Sequence, residues 1–155
     1  MKGQVIQVND IWNDDKQDEL KQFILLHSEK QSKERKLTNQ LLSIQYKIED
    51  YIRNDNENEE ILKVLDFVKM YLKTLDITQK KLADLFEMKD SNLHKYLVGE
   101  RKLNPKLVLK LSHFSHTKPE YWIGIQVKNE LIELKKENKN TGYYEKYDYR
   151  NLISV

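Results

Sequence analysis

The chain has 155 residues, with 27 basic and 25 acidic side chains, no cysteine, four glycines and two prolines. That length holds one domain of ordinary size, or a small domain with a substantial extension. The missing cysteine excludes disulfides, thiolate metal sites and cysteine nucleophiles, and it suits a reducing cytoplasm. The longest apolar run, Phe23-Ile24-Leu25-Leu26, is too short to span a bilayer, and no signal-peptide pattern opens the chain. A soluble, cytoplasmic protein without a membrane partner is expected. Scarce Gly and Pro among abundant Lys, Glu, Leu and Gln point to an all-α fold. The small net charge hides an asymmetry: residues 1–60 carry 9 basic and 13 acidic side chains, residues 76–136 carry 12 and 8. An acidic front and a basic back suggest two surfaces with different partners.

Residues 1–13 alternate as a strand does at "QVIQV" and then turn polar around Trp12, which fits a strand or a loose arm equally. From Asp14 the pattern is helical. Leu20, Phe23, Ile24 and His27 share a face, and Leu37, Leu41, Ile44, Ile48, Tyr51 and Ile52 then recur at three and four. Two amphipathic helices in a hairpin are the simplest expectation. "NDNENEE", residues 54–60, breaks the rhythm and is the candidate linker. A helix over residues 59–75 follows, with Ile61, Leu65, Val68, Leu72 and Leu75 as its stripe.

Thr78 is a plausible N-cap for a short helix that buries Leu82, Ala83 and Phe86. A second start near Lys89-Asp90-Ser91 leads through Leu93, Tyr96 and Leu97 to Gly99, suited to a left-handed helix exit. Two short helices with a turn of about four residues describe a helix-turn-helix. Asn104-Pro105 opens the next helix by capping and by proline at its first position, with Leu107, Val108, Leu111 and Phe114 inward. Thr117-Lys118-Pro119-Glu120 has the form of a capping box and starts a last helix to about Lys136. The tail "YYEKYDYRNLISV" is aromatic but too short for a core of its own. Three regions result: an N-terminal helical region at 1–58, a helix-turn-helix domain at 59–137 and a tyrosine-rich tail at 138–155.

No cofactor is implied. His113 and His116 are three apart but lack a third ligand nearby, and an ordinary exposed pair is the better reading. The acidic linker resembles a calcium loop from Asp55 yet has Glu60 where the turn glycine belongs. No nucleophile elbow, phosphate loop or H-E-x-x-H is present, and the carboxylate pairs read as solvated helix faces, so nothing argues for an enzyme. The helix-turn-helix is different, because its phasing leaves Asp90, Ser91, Asn92, His94 and Lys95 outward. Ser, Asn and Lys can donate to base edges in a major groove, and Asp can accept from cytosine. Asp90 can equally be the N-cap of its helix. Gln79, Lys80, Lys89, Arg101 and Lys102 stand around it, spaced to meet phosphates.

The stretch "ITQKKLADLF…SNLHKYLVGERKLNPKLVLKLSHFSHTKPEYWIGIQ" resembles the Xre/Cro-type helix-turn-helix of HigA-like antitoxins, partners of HigB/RelE-type ribonuclease toxins. Ile77-Thr78-Gln79 with Leu82-Ala83 match the first motif helix, and Leu93 with Leu97-x-Gly99 match the recognition helix. Leu103-Asn104-Pro105, and Pro119-Glu120-Tyr121-Trp122 followed by Gln126, match the two features that separate this subgroup from other repressors. The resemblance covers about residues 62–134. It departs at the turn, where Glu87 occupies the usual glycine position.

The resemblance implies a lambda-repressor-like domain that binds operator DNA, an inverted repeat, as a homodimer and represses its own operon while neutralising a cognate toxin. The last helix, through Trp122, Ile125 and Ile132, is either the dimer surface or the closure of the core. Toxin binding is expected of the N-terminal region through charge and apolar anchors, ahead of the tail, residues 143–152, as an added strand. An ordinary repressor without a toxin, and a helix-turn-helix reused for protein interaction, are the alternatives.

Overall fold

A computed structural model describes residues 14–55, 60–140 and 142–154. The arm expected at residues 1–13, with Trp12, lies outside the described residues, as does most of the acidic linker. Among the described residues the regular elements are all helical. In chain order they are α1 (Asp14–Arg53), α2 (Val64–Leu75), α3 (Gln79–Leu85), α4 (Asp90–Leu97), α5 (Pro105–Ser115) and α6 (Pro119–Asn140). Two 3-10 turns follow, Gly142–Tyr147 and Tyr149–Leu152.

The hairpin expected at the front of the chain is a single helix of 40 residues. Residues 28–36, "SEKQSKERK", lack apolar side chains, but no Gly or Pro interrupts them. Glu, Lys, Gln and Arg propagate a helix well, so a pause in the apolar rhythm is no break in the backbone. The following helix starts at Val64 rather than near residue 59, with the Asp66 carboxylate accepting from the Lys63 N–H at 2.7 Å.

The chain divides into two compact units, Met1–Gln40 and Leu41–Val155. This division precedes the acidic linker because Ile44, Ile48 and Tyr51, at the end of α1, are buried in the core of the second unit. Tyr51 also joins a polar clamp: its hydroxyl donates to Asn129 Oδ1 of α6 at 2.6 Å and accepts from Leu62 N–H at 3.1 Å. Asn129 Nδ2 completes it by donating to the Leu62 carbonyl at 2.8 Å. Close by, Gly124 lets α6 approach Ile52, since a Cβ there would stand 2.8 Å from the Ile52 side chain.

Helix ends in the second unit rarely rely on glycine. The exits of α2, α3 and α5 carry Asp76, Glu87 and His116 at φ 53, 57 and 54°, and only α4 uses a glycine, Gly99 at 87°. Ile77, Met88 and Thr117 then donate to the carbonyls of Leu72, Ala83 and Ser112. These are Schellman closures, which satisfy carbonyls that would otherwise be left without partners.

Trp122, fully buried, donates its indole N–H to Thr117 Oγ1 at 3.0 Å and Ser115 Oγ at 3.2 Å. The expected capping box therefore does not form around Thr117, whose hydroxyl faces the indole. Asn104 does cap α5, accepting from Leu107 N–H at 2.8 Å, with Pro105 at the first position. Trp122 and Ile125 are both 0% exposed and close the core, whereas Ile132, the third residue of that stripe, is only half-buried.

Two stability outcomes follow from this packing. Ile48→Ala should cost about 2–5 kcal/mol in urea unfolding, because a buried aliphatic is lost where α1 meets the core. Tyr71 is buried and its hydroxyl has no hydrogen-bond partner among the described residues. Tyr71→Phe should therefore be neutral at pH 7 or stabilising by about 1 kcal/mol. Burial also pushes the Tyr71 phenol from 10.0 up to about 12. The folded state then favours the protonated phenol, and that contribution disappears as pH climbs from about 10 through 12. Urea titrations of the wild type should weaken across that window more than those of Tyr71→Phe.

Candidate nucleic-acid interface

Helices α3 and α4 are short and held by little besides their inner faces. Leu82 and Ala83 of α3 and Leu93 and Leu97 of α4 are buried, and Phe86 between the helices joins them. Thr78 caps α3, accepting from Lys81 N–H at 3.2 Å. The connecting turn, residues 86–89, reverses at Glu87 in the left-handed region, the position where glycine was expected. Glu87 N–H donates to Asp84 O at 3.1 Å and Met88 N–H to Ala83 O at 2.9 Å, so the turn is closed despite the strain of a side chain there. The Lys110 ammonium of α5 donates to the Phe86 carbonyl and braces the turn from behind.

Asp90 is the first residue of α4 and Lys89 is its N-cap, with no side-chain cap bond. Of the two roles open to Asp90, capping is thereby excluded. Its carboxylate instead accepts from Gln79 Nε2 at 2.9 Å, and the same amide lies 3.4 Å from His94 Nδ1. Gln79, Asp90 and His94 thus form one polar cluster bridging the two helices. A carboxylate in the first turn is also favoured by the helix dipole.

A second cluster forms at the other end of α4. Arg101 Nη1 donates to Asn92 Oδ1 at 2.7 Å, and its guanidinium lies 5.9 Å from the Tyr96 ring centroid. Tyr96, expected in the core, is only half-buried, and its hydroxyl accepts from Asn104 Nδ2 at 3.5 Å. Sequence reasoning missed its place beneath Arg101, because helical phasing sorts a boundary residue to one side or the other. Ser91 and Lys95 are exposed on α4, and Lys80 and Lys89 line a shallow depression with Asp84, Glu87, Met88 and Asp90. Lys102 stands apart from both clusters, 3.6 Å from Glu130 of α6. Both groups of that ion pair are well exposed, so it contributes little to stability.

The two features most particular to the resemblance meet in space. Gln126 of α6 accepts from the Leu103 N–H at 2.7 Å, tying the loop after α4 to the last helix. Tyr121 donates to the Glu49 carboxylate of α1, which holds Glu49 below the usual carboxylate range and pushes the tyrosine up. Only the type of residue at 126 was visible in the sequence; its partner is a backbone group, which no residue pattern encodes.

The remaining expectations fall elsewhere. Within α1 the acidic and basic side chains balance, eight of each. The acidic excess of the front of the chain lies outside the helix, at Asp10 and in residues 55–60. The tail forms 3-10 turns rather than an extended strand, with Tyr143, Tyr144 and Tyr147 clustered at 5.2–6.2 Å and exposed. Among the described residues no group of three or more His, Cys, Asp or Glu is placed to hold a metal, and His116 serves as the left-handed end of α5. No helix among them is long and apolar enough to cross a membrane.

Comparison of the chain with protein-family models, with curated proteins and with solved structures yields no match.

Glu87→Gly should relieve the left-handed strain and raise stability by about 0.5–1 kcal/mol, whereas Glu87→Val should lower it by more. Denaturant midpoints of the two variants beside the wild type check both signs.

Proposed function

We propose that the second unit is a lambda-repressor-like helix-turn-helix domain that binds duplex DNA with α4 in the major groove, and that the chain represses transcription as a homodimer on an inverted repeat. The observation that carries this is the closed four-residue turn between α3 and α4, with Ser91, Asn92 and Lys95 on α4 at the surface or its edge. Asn92 gives its carbonyl oxygen to Arg101, which leaves its Nδ2 hydrogens directed to acceptors such as guanine O6 and N7. Lys95 is a second donor to base edges. Lys80, Lys89 and Arg101 meet phosphates and set the register of the protein on the duplex without reading sequence. Gln79 restrains the Asp90 carboxylate, so that its negative charge is directed along the protein surface.

The antitoxin reading is a further part of the same proposal, with a HigB/RelE-type ribonuclease toxin as partner. It is supported by the resemblance at Leu103-Asn104-Pro105, Pro119-Glu120-Tyr121-Trp122 and Gln126, residues that here hold the end of α4 and the core together. The N-terminal region is assigned the toxin in preference to the tail, and neutralisation is stoichiometric. A mixed-charge depression containing Asp84, Glu87 and Asp90 favours the competing reading, a helix-turn-helix reused for binding protein.

Fluorescence anisotropy on duplexes from the region upstream of the coding sequence decides among these. Arg101→Ala should weaken binding to every sequence and reduce the salt slope by about 1, whereas Lys95→Ala should lose about 1–3 kcal/mol of discrimination at one or two base pairs. Absence of salt-sensitive duplex binding by the wild type overturns the repressor. For the antitoxin, growth arrest caused by an adjacent ribonuclease should be relieved by this chain, with direct contact seen on co-purification. A harmless neighbour returns the chain to an ordinary repressor.

A further inference from the structure

The first unit, which lies in the region assigned to the toxin, also carries a feature that a second copy of the chain would satisfy. Every described side chain from Asp15 to Gln40 is exposed, including Phe23 at 65% and Leu26 at 67%. Leu20, Ile24 and Leu25 are exposed beside them. Soluble helices rarely leave such a band uncovered without a partner. From the geometry we propose that residues 14–36 of α1 pair antiparallel with the same residues of a second copy, as a short two-stranded coiled coil. The inference does not depend on what α4 binds.

Spacings of three and four define a seam through Leu20, Phe23, His27, Lys30 and Glu34. Phe23 and His27 already stack on that seam, ring centroids 5.9 Å apart and planes within 4°. An antiparallel partner centred at residue 25 sets Phe23 against His27 of the partner subunit, and Leu20 against the aliphatic stem of the partner's Lys30. On the flanks, Leu26 meets its own symmetry mate on one side of the seam and Ile24 meets its mate on the other. Leu25 faces outward.

Charge decides the occupant and the direction. Residues 14–19 hold four acidic side chains and one basic, and residues 30–36 hold four basic and one acidic. Antiparallel pairing lays each acidic end on the partner's basic end, with Glu19 beside the partner's Lys33. Parallel pairing would set Lys30 on Lys30 of the partner subunit and Glu34 on the partner's Glu34, like charge on like. Because the acidic and basic residues are segregated at opposite ends of this segment, an antiparallel second copy matches both ends at once, which a partner of one sign does not. The pair is isologous and carries the two-fold symmetry on which closed dimers depend.

Sedimentation equilibrium of the full chain over a range of concentrations tests the pairing. The expected result is a monomer–dimer equilibrium. Phe23→Glu and Leu26→Glu should each weaken it by about a hundredfold or more, while Leu25→Glu leaves it unchanged and circular dichroism confirms that the helix persists. Glu19→Lys or Lys33→Glu alone should weaken it about tenfold, and the double variant should restore it, because attraction between the ends is rebuilt with the signs exchanged. A monomer at every concentration overturns the proposal, and so does a dimer indifferent to Phe23→Glu and Leu26→Glu. Failure of the double variant to rescue overturns the antiparallel register, as would a band that binds only a different protein.

Discussion

The second unit depends on the inner stripe of α6, which must satisfy polar groups in three places while burying its apolar residues. Trp122 needs an acceptor for its indole N–H, and finds two hydroxyls on either side of the left-handed residue that ends α5. One turn later Gln126 accepts the Leu103 N–H, and after another turn Asn129 joins Tyr51 and Leu62. Residues four and three apart lie along one face of a helix, so a single rigid element holds the turn before it, the loop after α4, and the end of α1. A buried polar group without a partner is costly, which makes these bonds directional constraints on the packing.

The position of α4 is set indirectly by those constraints. Its own core contribution is small, chiefly Leu93 and Leu97. Its entry is set by a turn closed at Glu87 and braced by Lys110, its exit by Gly99 and the Leu103–Gln126 bond. A short helix fixed at both ends and exposed along one face is a suitable platform for surface recognition, since side chains supply the chemistry and the scaffold supplies the aim. The polar clusters at Gln79–Asp90–His94 and Asn92–Arg101–Tyr96 orient side chains that would otherwise sample many rotamers. Their entropy is thus partly lost before any ligand arrives.

The front of α1 answers to different physics. Its side chains are exposed from Asp15 to Gln40, and an isolated helical stretch gains little from backbone hydrogen bonding alone. Its helix-forming composition accounts for the backbone, but not for the apolar band, which has no solvation advantage in the free chain. Self-complementary charge offers that band a partner of the same sequence. The same segment would then link two copies of a domain whose proposed DNA target is itself two-fold symmetric.

By itself the sequence determined the helical character, the caps at Thr78 and Asn104-Pro105, the left-handed exit at Gly99 and the inward residues of α3, α5 and, apart from Tyr96, α4. These are local properties: periodicity, side-chain capping and backbone preference act within a few residues and leave their mark in the residue types. The ten candidate contact residues were legible as to exposure, apart from the half-buried Gln79 and Asn92. Tertiary structure alone decided that the end of α1 belongs to the second unit, that Thr117 serves an indole rather than a cap, and that Tyr96 supports Arg101. It also separated Lys102 from the α4 clusters and turned Trp122 and Ile125 inward. Some of those partners are distant in sequence, as Glu130 is from Lys102, and others lie five residues away but outside the helix of their partner, as Thr117 does from Trp122. Whether a hydroxyl caps a helix or receives a buried N–H depends on which competing donor the fold brings within 3 Å, and no local pattern carries that choice.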